Sequence, residues 1–177
     1  MNELIILVDE KDNEIGAMSK LAAHQAGVLH RAFSIFIFNQ YNEILLQQRA
    51  DEKYHSGGLW SNTCCSHPLK GEKTNMAVSR RLKEEMGIEC NTEFQFSFIY
   101  KTVFENGLTE HELDHVYFGK SDDVPVPDKN EVKDWKYIKL QKLKQEIISR
   151  PENYSEWLKI CLPKVELFLE QNFRSLK

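Results

Sequence analysis

RRLKEEMGIE, residues 80–89, reads as the last turns of an amphipathic helix followed by its stop. Val78, Leu82 and Met86 recur every four residues and so share one face, with charges filling the others. Gly87 follows the last apolar position and can take the left-handed backbone that closes a helix. Thr74 or Asn75 is expected to cap its start. A helix with a single apolar face needs a covering partner, and the flanking sequence offers strands. Residues 32–38 (AFSIFIF) are dense in β-branched and aromatic side chains. Residues 39–42 are turn material, and 44–48 follow as a hairpin partner. Downstream, residues 94–104 read as a long strand, Asn106-Gly107 as a hairpin turn and 110–118 as the returning strand. Residues 122–130 form a loop and 135–138 a short strand. Upstream, residues 5–8 make a first strand ended at Asp12-Asn13, and Ser19 caps a short helix over 20–25 that closes near Gly27. Residues 139–177 read as amphipathic helix interrupted at Pro151 and Pro163. Strands, a central helix, more strands and terminal helices predict an α/β (α+β) fold. Its mixed sheet is flanked by helices in one layered domain over 1–177.

The chain has 177 residues, 41% hydrophobic and 28% charged, which fits one globular domain with a full core. A net charge of -4 argues against nucleic acid as a partner and leaves room for a local basic pocket. The N-terminal MNELIILVDEKDNE has no basic leader and no long apolar run. No stretch approaches the roughly 20 apolar residues of a membrane helix. A cytoplasmic location without membrane contact is expected. Cys64, Cys65, Cys90 and Cys161 are expected as thiols. The adjacent pair could not bridge to itself without strain.

The segment SNTCCSHPLKGE, residues 61–72, sets Cys64 and Cys65 just before His67 and a proline. No further Cys/His pair follows at zinc-finger spacing, so small buried residues, a metal site and a reactive thiol all remain open. His24 and His30 precede the strong strand. Glu110 and Glu112 lie two apart in a strand, so their carboxylates project from one face, where a cation would relieve their repulsion. Three imidazoles and two carboxylates would suit Mn²⁺, Fe²⁺, Zn²⁺ or Mg²⁺ with a position to spare. The sequence alone does not show that these segments meet. By alternation His111 points the other way.

RRLKEEMGIE resembles the end of the Nudix box, Gly-x5-Glu-x7-Arg-Glu-aliphatic-x-Glu-Glu-x-Gly-aliphatic. Glu72, Arg80, Leu82, Glu84, Glu85, Gly87 and Ile88 fall in register. Ser66 replaces the first glycine, and Arg81 replaces the glutamate after the box arginine. That exchange removes a Mg²⁺ ligand and adds a cation, so diphosphate hydrolysis suffers while diphosphate binding need not. Together with KLAAHQAGVLHRAFS, LLQQRADEKYHSGGLWSNTCCSHP and EHELDHVYF, taken in order, the chain is similar to type 1 isopentenyl-diphosphate isomerases of the Nudix superfamily, from about residue 3 to about 160.

The resemblance implies a Nudix-like fold and a prenyl diphosphate substrate whose double bond moves while the diphosphate stays intact. It assigns Cys65 and Glu112 as the proton-handling pair, Tyr100 as the partner of Glu112, and Trp157 as the aromatic face opposing a carbocation. It assigns His24, His30, His67, Glu110 and Glu112 to one divalent metal, and Glu85 to a Mg²⁺ that accompanies the diphosphate. Lys20, Arg49, Lys53 and Arg81 are implied as the diphosphate's cations, with a monomer or homodimer as the assembly. The rival expectations are a Nudix hydrolase of a nucleoside diphosphate derivative, which Arg81 disfavours, and a non-catalytic metal-binding module.

Overall fold

The computed structural model describes residues 3–53, 55–104 and 106–173. Its strands are β1 (Leu4–Val8), β2 (Glu14–Ser19), β3 (His30–Phe38), β4 (Glu43–Arg49), β5 (Trp60–Ser61), β6 (Cys64–Ser66), β7 (Thr92–Val103), β8 (Thr109–Lys120) and β9 (Val132–Lys139). The helices are α1 (Lys20–Ala26), α2 (Thr74–Met86), α3 (Leu140–Ser149) and α4 (Glu156–Phe173), with a single 3-10 turn over Pro151–Asn153.

The mixed sheet is organised around β3. Along one edge β3 pairs in parallel with β8, from His30 opposite Glu112 to Phe38 opposite Lys120. Along the other edge it meets β1 at Leu7, β6 at residues 64–66 and β4 at Ile44. β7 extends the sheet antiparallel to β8, and β9 antiparallel to β4.

Alternation along β3 sorts its side chains into two layers. Phe33, Ile35 and Ile37 face α2 and pack with Val78, Leu82, Met86 and Cys64. Phe36 faces α3 and α4 with Val116, Phe118, Leu143, Leu158 and Leu162. The α2 layer is the apolar stripe expected from the four-residue spacing. Gly87 closes α2 at φ 67°, and its N–H reaches the Lys83 carbonyl. The loop after β8 then crosses this end, with Val126 and Asp128 donating to the Met86 and Glu85 carbonyls.

Several elements differ from the sequence expectation. Neither Thr74 nor Asn75 caps α2; Lys73 holds the cap position without a side-chain bond, and Thr74 is already helical. The helix entry is held instead by Glu72, which accepts from Arg80 and from the Leu69 N–H. Pro163 does not interrupt the C-terminal helix but sits inside α4. The lost hydrogen bond is tolerated because α4 is held by burial of Leu158, Cys161, Leu162 and Val165. Pro151 does mark a break. Ser19 and Gly27 cap α1 as expected. β2, β5 and β6 were not expected; EIGAMS, WS and CCS are too short or too mixed to show a period, and their neighbours recruit them. Residues 174–177 of the expected helical tail lie outside the described residues.

Candidate active site

The polar residues of the sheet gather on the α4 face. At its α4-covered end that face is apolar, and near the start of β3 and β8 it carries Ser34, Glu112 and Asp114. His30 stands opposite Glu112, and Asp114 lies opposite Ala32. α1 brings Lys20 and His24 together, since residues four apart share a helix face. β6 pairs Cys65 with Ser34 and Cys64 with Ile35. Adjacent residues project oppositely, so Cys64 enters the α2 core and Cys65 enters the pocket. Lys20, Arg49, His55, Cys65, His67, Tyr100, Glu110, Glu112 and Trp157 all line that pocket.

Glu112 is the focus of the histidines. Its Oε1 lies 3.0 Å from His67 Nε2, 3.5 Å from His30 Nε2 and 4.0 Å from His24 Nε2. One ligating atom from each of the four residues lies within 4.8 Å of all the others. His30 donates from Nδ1 to the Val28 carbonyl at 2.8 Å, which turns the lone pair of Nε2 toward the cluster. That nitrogen is buried and makes no hydrogen bond to a described residue. Burial, reinforced by neighbouring imidazoles and Lys20, lowers His24 to about 3 and His67 to about 4, so both rings are neutral near pH 7. Neutral, convergent imidazoles with a buried carboxylate fit a divalent cation. Burial alone would raise Glu112, but the surrounding imidazoles, His67 within hydrogen-bond distance and His30 close by, outweigh it and hold the carboxyl well below its ordinary value.

Glu110 stands beside this group rather than in it. Tyr100 donates to Glu112 Oε2 at 2.7 Å and lies 3.1 Å from Glu110 Oε2. Both glutamates therefore share one strand face, as alternation required. Burial first, then the charge of Glu112, raises Glu110 to about 8.

Cys65 Sγ donates to Asn62 Oδ1 at 2.8 Å and lies 3.5 Å from Ser34 Oγ. Asn62 has no freedom to flip, because its amide nitrogen donates to the Ile35 and Cys64 carbonyls. Burial, reinforced by Asp114, raises the Cys65 thiol well above its ordinary value. Trp157 opens α4, donates from Nε1 to Ser61 Oγ at 2.7 Å, and has the Arg49 guanidinium 5.1 Å above its ring. Burial and the nearby Arg49 charge lower Lys20 from its ordinary value.

Arg81, Lys53 and Glu85 form a separate polar group that does not line the pocket. Arg81 Nη2 lies 2.6 Å from Glu85 Oε1, and Gln47 donates to Glu85 Oε2 at 2.9 Å. Lys53 pairs with Glu131.

A model of the NUDIX domain matches residues 28–158. Isopentenyl-diphosphate Delta-isomerase 2 of Aromatoleum aromaticum is 53% identical over 165 residues, covering 93% of this chain and 87% of the relative. Isopentenyl-diphosphate Delta-isomerase of Pectobacterium atrosepticum is 48% identical over 161 residues, covering 91% and 90%. The chain belongs to the NUDIX superfamily's isopentenyl-diphosphate Delta-isomerases. Among solved structures, DR0079 from Deinococcus radiodurans shares the fold with a TM-score of 0.70 at 20% identity, covering 83% of this chain and 90% of that one.

In this member of the isomerase family, sequence reasoning missed His55, Asn62, Ser34 and Asp114. His55 stacks on Phe104, meets the edge of Trp157, and lies 3.8 Å from Glu110 Oε1. It sits in a loop without periodicity, and nothing in the sequence aims it. Asp114 was within reach, since the alternation that pairs Glu110 with Glu112 continues to residue 114. Ser34 donates to its Oδ2 at 2.8 Å. No helix among the described residues is long and apolar enough to cross a membrane.

Proposed function

We propose that the protein interconverts isopentenyl diphosphate and dimethylallyl diphosphate, as an isomerase of isoprenoid biosynthesis acting in the cytoplasm. The observation that carries this is the placement of Cys65 and Glu112 in one pocket, from β6 and β8, next to a cluster of convergent buried histidines. An unactivated alkene is a very weak base, so its protonation needs a positioned acid and a site that stabilises positive charge. Of Cys65 and Glu112, one gives a proton to the alkene and the other removes one from the neighbouring carbon. The roles exchange in the reverse direction.

Tyr100 holds Glu112 by its hydroxyl, and Asn62 holds the Cys65 sulfur. Trp157 offers its ring to a cationic carbon centre, and the aromatic wall of His55, Phe104 and Trp157 excludes the water that would trap it. His24, His30, His67 and Glu112, with Glu110 beside them, would hold a divalent metal: Mn²⁺, Zn²⁺, Fe²⁺ or Mg²⁺. When bound, that ion supplies positive charge that fixes Glu112 and tunes its acidity. Lys20, Arg49, Lys53 and Arg81 would bind the diphosphate, with Mg²⁺ through Glu85. In this structure both Glu85 oxygens are engaged, by Arg81 and Gln47.

Incubation with isopentenyl diphosphate, and separately with nucleoside diphosphate derivatives, tests the reading against hydrolysis. Dimethylallyl diphosphate without phosphate release is the expected result. Hydrolysis of the nucleotides without isomerisation would overturn it.

A further inference from the structure

Glu131, named so far only as the partner of Lys53, bridges two of the cations proposed for the diphosphate. Its carboxylate pairs with Lys53, and its Oε1 lies 3.4 Å from Arg81 Nη2. The same Arg81 nitrogen lies 2.6 Å from Glu85. The two carboxylates differ in how firmly they are held. The Glu85 side chain is 5% exposed, accepts from Gln47 as well as Arg81, and cannot leave without burying an unpaired charge. The Glu131 side chain is 25% exposed, and its carboxylate contacts are those with Lys53 and Arg81. Its backbone is fixed: the Glu131 N–H donates to the Asp128 carbonyl, and its own carbonyl accepts from Ala50, beside Arg49. The carboxylate can therefore swing out while the chain stays in place.

We propose that Glu131 is the exchangeable counter-anion of the diphosphate seat. It holds Lys53 and Arg81 in the substrate-free protein and is displaced when a diphosphate takes the same donors. This rests on the diphosphate reading of Lys53 and Arg81. A diphosphate carries more charge than one carboxylate and matches the guanidinium fork, so it wins the exchange. Arg81 Nε, buried and without a hydrogen bond to a described residue, leaves donor capacity on that guanidinium. Ion pairs about a quarter exposed, as these are, remain in reach of solvent and weak enough to be exchanged rather than locked.

The test is calorimetric binding of inorganic pyrophosphate to the metal-loaded protein, in the wild type, Glu131→Gln, Lys53→Gln and the double variant. Glu131→Gln should tighten binding by roughly threefold to thirtyfold, the scale of two such pairs, and lower KM for isopentenyl diphosphate. A variant that merely disturbed the structure would not gain affinity. Lys53→Gln should weaken binding, and in the double variant the gain should shrink. If Lys53→Gln weakens binding but Glu131→Gln leaves it unchanged or weaker, Glu131 is a permanent organiser or a metal ligand. The exchange proposal then fails while the diphosphate seat stands. If neither substitution alters binding, the seat itself is elsewhere and both readings fail.

Discussion

His30 and Glu112 stand opposite each other on the parallel pair of β3 and β8, with His30 Nε2 3.5 Å from Glu112 Oε1. Sheet register alone brings these two together. α1 then adds His24, and the turn after β6 adds His67. Because the Nδ1 of His30 is committed to the Val28 carbonyl, its other nitrogen has no choice of direction. His30→Ala should lower divalent-metal affinity by about a hundredfold or more, beyond the loss usual for residues that merely orient a ligand. Competition against a chromophoric chelator measures this; unchanged affinity would place the metal elsewhere.

Glu110 gives a pH signature. With its carboxyl raised to about 8, it is mostly protonated at pH 7, whereas His24 and His67 are already neutral. If Glu110 joins the metal, binding at pH 7 must release its proton, and affinity should rise as pH climbs through about 8. His24 and His67 contribute no such release at pH 7. Calorimetry in buffers of different ionisation enthalpy should find about one proton fewer released by Glu110→Gln. Equal release by the two proteins would leave Glu110 outside the coordination.

Asn62→Leu should act on both stability and rate. It leaves the Ile35 and Cys64 carbonyls without the amide donor, at a cost of about 1–3 kcal/mol in urea unfolding. It also frees the Cys65 sulfur, so kcat should fall by more than KM changes. Equal kcat in a folded variant would show that the sulfur needs no such anchor.

Gly87→Ala probes the fold apart from the chemistry. Gly87 has φ 67°, and an added Cβ would meet the Val126 carbonyl oxygen at 2.5 Å. A loss of more than about 1 kcal/mol in denaturant unfolding is expected. A neutral effect would mean that the loop over this helix end is not packed as described.

Much of this was legible from the chain because the signals were local or periodic. Val78, Leu82, Met86 and Gly87 specify α2 within four turns. Residues 32–38 specify β3, and alternation puts Glu110 and Glu112 on one face. What was not legible depends on tertiary partners. CCS becomes a strand only because β3 offers it an edge, and that pairing separates Cys64 from Cys65. Pro163 survives in α4 because packing outweighs one lost hydrogen bond. His55 reaches the pocket from an aperiodic loop. The convergence of three histidines on one oxygen of Glu112 combines sheet register for His30 with α1 for His24 and the chain after β6 for His67, which no single segment encodes.

On the proposed mechanism, Cys65 and Glu112 move protons on an alkene while the diphosphate stays intact. The most direct measurement incubates metal-loaded protein with isopentenyl diphosphate in D₂O and follows deuterium incorporation and dimethylallyl diphosphate by NMR, with Cys65→Ala in parallel. Deuterated dimethylallyl diphosphate is expected from the parent, with a loss of about a thousandfold or more in the variant, the size of a typical general acid–base contribution. A folded, metal-loaded parent that neither converts the substrate nor takes up deuterium would contradict it.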